Sequence, residues 1–317
     1  MTSPPISQAS SPGRPVVFGE VLFDRFADGS EVLGGAPFNV AWHLAGLGHQ
    51  PLLITRVGTD ELGDRVLEAM SLWGLDPAGV QRDSGRPTGT VEVGFDSGGQ
   101  PSFDIRAGVA WDAVEPAPAL AAVGSAPTAL LYHGSLAARS PVTAATLAEL
   151  RVGLAAPVFL DVNLRPPWWS VETVERLLFG VRWAKLSDDE LELLEAGGEV
   201  ASRRDDLALA ARFHGRFALD TLIVTHGGDG ALVLGERDTL TGRPPSTGLE
   251  VVDTVGAGDA FSAAWIAGLL EGWSRRDTLE RALELAALVC GQRGAVIAGR
   301  ESYARLRSSW DRRSLER

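Results

Sequence analysis

Short, almost wholly apolar runs recur along the chain, separated by longer stretches whose apolar residues repeat at helical spacing. Pro15 to Gly19, Pro51 to Val57, Ala129 to Ser135, Val158 to Arg165 and Thr221 to Thr225 read as buried strands. Glu20 to Asp24 is expected to continue the first of them into a polar end, and Glu250 to Val252 to close a later strand. Between these runs, Phe38 to Leu47 reads as an apolar helix opened by Pro37 and stopped at Gly48. Gly58-Thr59-Asp60 caps a helix running to about Trp73, and Trp183 to Leu186 is a strand leading into a helix capped at Ser187. Ala260 to Leu270 is a further helix, and Thr278 to Arg293 is expected to be the last long one. Strands alternating with helices predict an α/β fold around a parallel sheet. One place breaks the alternation. Thr88 to Phe95 and Pro101 to Arg106 are two strands joined by Asp96-Ser97-Gly98-Gly99-Gln100, a hairpin signature.

Composition narrows this picture. The chain has 317 residues, 45% of them hydrophobic, enough for one large α/β domain or two small ones. Its net charge of −12 argues against nucleic acid or an anionic membrane as partner. No apolar run approaches the ~18 residues of a membrane-spanning helix. Met1 to Arg14 is rich in Ser and Pro, lacks the regions of a signal peptide, and is expected to be a disordered tail. The single cysteine, Cys290, excludes an intramolecular disulfide and fits a reducing cytoplasm. Lys185 is the single lysine, and no Gly-rich loop has a lysine beside it, which excludes a Walker-A nucleotidase.

The chemistry concentrates in Asp253-Thr254-Val255-Gly256-Ala257-Gly258-Asp259-Ala260-Phe261. Gly256 and Gly258 let backbone N–H groups approach an anion closely, and the helix that follows offers unpaired amides and the positive end of its dipole. That suits phosphate. A carboxylate beside such a cradle is repelled by its ligand, so Asp259 reads as a general base for an incoming hydroxyl; the plainer alternative is a helix cap. Near the start, Asp24 sits where ligands of α/β sheets collect, and its carboxylate can accept two hydroxyl hydrogen bonds; the alternative is a turn aspartate.

Asp253 to Phe261 resembles the C-terminal signature of the PfkB, or ribokinase-like, family of sugar and nucleoside kinases, and Gly34-Gly35-Ala36-Pro37-Phe38-Asn39-Val40-Ala41 resembles its N-terminal signature. The resemblance spans about Pro15 to Ala298. It implies a ribokinase-like three-layer α/β/α sandwich over residues 15–317, with a mainly parallel central sheet and a small β-sheet lid from about 24–33 and 88–107. It implies ATP-dependent transfer of the γ-phosphoryl to a primary sugar hydroxyl, with Asp259 as base and the Gly256, Ala257 and Gly258 amides as anion hole. Gly35 and Asn39 would contact sugar hydroxyls. Arg106, on the lid, is a candidate contact to sugar or phosphate, or an exposed surface residue. Asp161-Val162-Asn163-Leu164-Arg165 resembles a motif of the fructokinase-like branches: Asn163 and Arg165 would reach the site, with an Asp161–Arg165 ion pair as the alternative.

Thr225, Gly227 and Gly230 resemble the turn lining the nucleotide site. Cys290 falls where relatives wall the adenine, as a packing residue. Glu190 matches a residue that reaches Mg2+ through water; Ser187 replaces the usual Asn and is expected to cap. Asp253 resembles a position lining a monovalent-cation site, for K+, in some members. His43 is expected in helix packing or at the surface. Gly19 to Asp24 and Gly34 to Ala41 look most like fructokinases, with 2-keto-3-deoxygluconate kinase or ribokinase next and nucleoside kinase third. A homodimer through the lid is a further expectation. A silent sugar and ATP sensor, or a nucleotide-binding module, are the readings outside catalysis.

Overall fold

The structure, a computed structural model, describes residues 13–95, 101–197, 206–245 and 250–315. Two sheets organise it. The large sheet takes β1 (Arg14–Phe18), β4 (Leu52–Gly58), β5 (Val80–Asp83), β8 (Thr128–Gly134), β9 (Val158–Asp161), β10 (Trp183–Ser187), β11 (Thr221–Thr225), β12 (Ala231–Gly235) and β13 (Thr239–Gly242). Its nine strands lie in the order β13-β12-β11-β10-β9-β8-β1-β4-β5. Pairing is parallel from β5 across to β11; only β11–β12 and β12–β13 are antiparallel. The small sheet takes β2 (Leu22–Phe26), β3 (Glu31–Gly34), β6 (Gly89–Phe95) and β7 (Pro101–Ile105), in the order β3-β2-β6-β7.

Alternation along each large-sheet strand sends side chains to two cores. Val17 and Leu53 pack on one face with α1 (Ala36–Gly46), α2 (Glu61–Trp73), α8 (Ala257–Glu271), α9 (Arg275–Cys290) and α10 (Arg300–Leu315). Val16, Phe18, Leu52 and Ile54 pack on the other with α3 (Pro116–Val123), α4 (Pro141–Gly153), α5 (Val171–Leu178), α6 (Asp188–Glu195) and α7 (Asp206–Phe217). The result is the three-layer sandwich with a small separate sheet. The small sheet has its own core, where Leu22, Val91 and Ile105 close on Trp111 and Leu136.

Five boundaries differ from the sequence reading. The strand read over Val158 to Arg165 ends at Asp161, because the chain turns at Asn163, φ +45°. Glu20–Asp24 does not extend the first strand. Gly19 turns at φ +151°, and a Cβ there would meet Pro37 Cγ at 2.4 Å. The chain then leaves the large sheet, so Asp24 lies within β2 of the small one. Glu250 to Val252 is not a strand. Val251 and Val252 are exposed, and the Val252 and Asp253 amides donate to the Cys290 carbonyl at 2.8 and 3.3 Å, which moors the loop to the end of α9. The helix ending at Cys290 is not the last: α10 follows, holding itself down through Tyr303, Leu306 and Trp310. Arg14, assigned to the tail, is the first residue of β1; residues 1–12, and the hairpin turn 96–100, lie outside the described residues.

Candidate active site

A cavity of about 280 Å3 opens where the carboxyl ends of β1, β9 and β10 meet the small sheet and the start of α8. That is where ligands gather in open α/β sheets. Glu20 and Asp24 come from the chain crossing between the sheets, Asn39 from α1, Asp161 and Asn163 from the end of β9, and Lys185 from β10. Val91, Phe103 and Ile105 of the small sheet form its apolar side, and Gly256, Gly258 and Asp259 its floor.

Helix α8 begins at Gly256, which caps it at φ +79°. An alanine Cβ there would lie 2.4 Å from Ala295 Cα, so the turn admits only glycine. The first amides of α8 have no partner within the helix. The Ala257 amide is drawn back to the Thr254 carbonyl at 3.3 Å and Ala257 does not line the cavity, whereas Gly256 and Gly258 do.

Asp259 opens on the cavity and is crowded by protein elsewhere. Burial pushes its carboxyl up to about 7, against the Asn39 hydrogen bond that lowers it; Asp161 raises it further, and Lys185 and Arg165 oppose. Asn39 Nδ2 donates to Asp259 Oδ2 at 2.8 Å. Asn39 is 4% exposed, and its Oδ1 has no partner among the described residues, leaving an acceptor beside the site. Gly35 precedes α1 at φ +106°; a Cβ there would meet the Glu20 carbonyl oxygen at 2.8 Å. Asp24 lines the wall, its carboxyl raised to about 6 by burial, with Arg165 pulling the other way.

Beneath Gly258 lies a buried ion pair. Lys185 Nζ donates to both oxygens of Asp161 at 2.9 Å. Asp161 also accepts from Ser262 Oγ at 2.8 Å and Tyr132 OH at 3.4 Å. The expected Asp161–Arg165 pair does not form: Lys185 takes Asp161, and Arg165 turns to the cavity edge, where Nη1 donates to the Leu164 carbonyl at 3.0 Å. Asn163, at φ +45°, carries the chain out of β9 and lines the cavity.

The other sequence candidates lie outside this cavity. Arg106 is exposed after β7 and does not line it. Glu190 spends both oxygens on backbone, accepting from Leu164 N at 2.6 Å and Ser187 N at 2.8 Å, while Ser187 caps α6 in return. Asp253 accepts from the Val255 and Gly294 amides at 3.0 and 3.1 Å, tying the loop before α8 to the loop after α9. Cys290, half-buried at the end of α9, has its thiol pushed up by burial and by Asp253. Thr225, Gly227 and Gly230 stand at the end of β11, beside a shallow depression bordered by His226, Asp229 and Arg243. Gly230 sits at φ +106°, where a Cβ would strike the Gly242 carbonyl oxygen. His43 is buried: Nε2 donates to the Ala295 carbonyl at 3.0 Å and Nδ1 accepts from Tyr303 OH at 2.7 Å. Among the charged cavity residues, sequence reasoning gave no role to Glu20 and Lys185. The one available signal was a lone lysine in a chain that otherwise uses arginine.

Residues 16–301 match the family described as pfkB family carbohydrate kinase. A fructokinase of Klebsiella pneumoniae is 31% identical over 271 residues, covering 81% of this chain and 84% of that one. Fructokinase-2 of Solanum lycopersicum is 28% identical over 306 residues, covering 90% of each. Among solved structures, an uncharacterized sugar kinase from Pyrococcus horikoshii in complex with ATP superposes with a TM-score of 0.74 at 26% identity, covering 88% of this chain and 93% of that one. A fructokinase double mutant from Vibrio cholerae O395, bound to fructose, ADP and potassium, shares the fold with a TM-score of 0.78 at 24% identity, covering 94% and 99%. With the family match running through nearly the whole chain and α8 opening on a carboxylate beside two cavity-lining glycines, the chain belongs to the pfkB family of carbohydrate kinases and is a sugar phosphotransferase.

Proposed function

We propose that this kinase moves the γ-phosphoryl of ATP to a primary hydroxyl of a small sugar, fructose first among candidates, with Asp259 as general base. The observation that carries the reading is the placement of Asp259 in the first turn of α8, hydrogen-bonded by Asn39 and opening on the cavity. Fructose comes first because fructokinases of Klebsiella and tomato are among the relatives.

In this mechanism the ionised Asp259 takes the proton of the attacking hydroxyl. The sugar oxygen forms a bond to the γ-phosphorus as the bond to the β-phosphate bridging oxygen breaks, and ADP carries away that electron pair. A carboxyl titrating near 7 is suited to the work, because a base poised near the working pH is both ionised and basic enough to accept. The cavity-lining Gly256 and Gly258 offer helix-terminal backbone to the phosphoryl oxygens, and the Lys185 ammonium beneath Gly258 adds fixed positive charge. Asn39 Oδ1 and Asp24 are acceptors for sugar hydroxyls. The small sheet acts as a lid that keeps water, a competing acceptor, from the phosphoryl.

Glu190 fits Mg2+ only through water, since both its oxygens already accept backbone amides. Mg2+ held with the nucleotide supplies neutralisation of phosphate charge. Asp253, which joins the loops before α8 and after α9, would hold K+.

The test is Mg2+-dependent ADP release across fructose, ribose, 2-keto-3-deoxygluconate, tagatose and adenosine, with Asp259→Asn alongside. Turnover on one sugar that falls ~10²–10⁴-fold in Asp259→Asn supports the reading. Release indifferent to the sugar, or surviving the Asn substitution, overturns it.

A further inference from the structure

Glu20 is the cavity's unexplained group. It sits on the short crossing from β1 to β2, with a carboxylate 2% exposed, and lines the cavity with Asp24 and Asn39. Among the described residues its Oε2 has no hydrogen-bond partner. Its own amide and that of Ala36, first residue of α1, lie close enough to bond the carboxyl. Two arginines are in range, and neither closes an ion pair with it. Arg139 is committed to Asp112, at 2.8 Å, and lies between the Trp111 and Trp168 rings, 4.0 and 4.4 Å from their centroids. Arg165 turns one nitrogen to the Leu164 carbonyl. Burial, the largest influence, lifts the carboxyl to about 7 in spite of both cations.

A buried acceptor left unpaired costs more than a well-packed apolar side chain in the same place. A ligand that brings a donor removes the cost. Around Glu20 the cavity presents further acceptors, Asp24, Asn39 Oδ1 and Asp259, with Asn163, Arg165 and Lys185 as donors in the same lining. The acceptors at that end are complementary to a ligand rich in O–H donors.

Building on the sugar-kinase reading above, we propose that Glu20 is a specificity-determining residue: its carboxylate accepts a hydrogen bond from a sugar hydroxyl other than the one phosphorylated, and so selects sugars that carry this hydroxyl over their deoxy analogues. A site built to pair a hydroxyl rejects the analogue lacking it, because the buried carboxylate is then left bare.

The experiment compares the wild type with Glu20→Gln on the preferred sugar and on each of its monodeoxy analogues. Glu20→Gln is expected to weaken the parent sugar ~10- to 100-fold, mostly in KM rather than kcat. For the one analogue lacking the hydroxyl that Glu20 reads, the substitution changes KM less than threefold. An equal penalty on every analogue, or no penalty, overturns the proposal. Glu20→Asp, which retains the charge but draws it back by one methylene, runs beside it and covers the case in which the Gln variant does not fold. Calorimetric titration of the same sugars gives a readout independent of turnover. Asp259→Asn that turns over normally refutes the base mechanism alone; a flat Glu20 profile refutes this inference alone.

Discussion

Lys185→Met tests the buried pair under the anion hole. The ammonium is 6% exposed, and each of its two bonds to Asp161 is 2.9 Å long. Removing one partner of such a pair costs ~3–5 kcal/mol, because the other charge stays buried without compensation. Asp161 keeps the Ser262 and Tyr132 hydroxyls, so the cost falls at the lower end, ~3 kcal/mol. Unfolding entropy of ~2 cal/mol/K per residue over the 317 residues gives ~0.7 kcal/mol/K, so the melting temperature should drop ~4–5 °C. Scanning calorimetry at pH 7.5 measures it. The double variant Lys185→Met/Asp161→Asn should recover more than half of the loss, since no bare charge remains. A drop below ~1 °C, or a double variant equal to the sum of the singles, refutes the pairing argument. Lys185→Arg should not restore the wild type: Nζ already lies 3.3 Å from where a Gly258 Cβ would stand, which leaves no room for a planar guanidinium.

Three further outcomes follow from the site. With the Asp259 carboxyl near 7, kcat/KM on the accepted sugar should fall about tenfold per unit below pH 7, more steeply if Glu20, also near 7, must be ionised; a profile flat down to pH 5 contradicts this. Asp259 titrates near 3.8 when unfolded and about 7 when folded, so between these values the folded chain binds more protons and loses stability as pH rises. Asp259→Asn should therefore melt higher than wild type at pH 8, by roughly 2–4 kcal/mol, and show no gain at pH 4; the opposite trend rules out burial as the cause. Gly256→Ala must hold a Cβ at φ +79° against the Ala295 backbone, costing ~2–4 kcal/mol in urea unfolding and most of the activity; a variant within ~0.5 kcal/mol and fully active removes the steric argument.

The first turn of α8 was legible because its requirements are local: two glycines at fixed spacing, a carboxylate, then an apolar run. The parallel sheet was legible for a related reason, since strands buried on both faces read as continuous apolar runs. What escaped depended on partners far along the chain. Gly19 ends β1 because Pro37 occupies the space beside it, which nothing within Val16 to Asp24 announces. Helix α10 is polar nearly throughout and is held by Tyr303, Leu306 and Trp310, with His43 of α1 meeting Tyr303. Val251 and Val252 have strand chemistry, but their segment is a loop moored to the end of α9. Glu20 and Lys185 are ordinary charged residues in sequence. Only the meeting of β1, β9, β10 and α8 shows that both are buried and face one cavity.

The solitary lysine has a practical corollary. Amine-directed reagents, acyl donors and aldehydes among them, have one side chain to find in this sequence, and it is 6% exposed and ion-paired at the edge of the cavity. Apart from the α-amino group, covalent labelling by such reagents should be slow in the folded protein and quicken only where the cavity floor opens and the Lys185–Asp161 pair parts. Its rate should slow further when a ligand fills the site, and the folded protein should couple poorly to supports that capture side-chain amines.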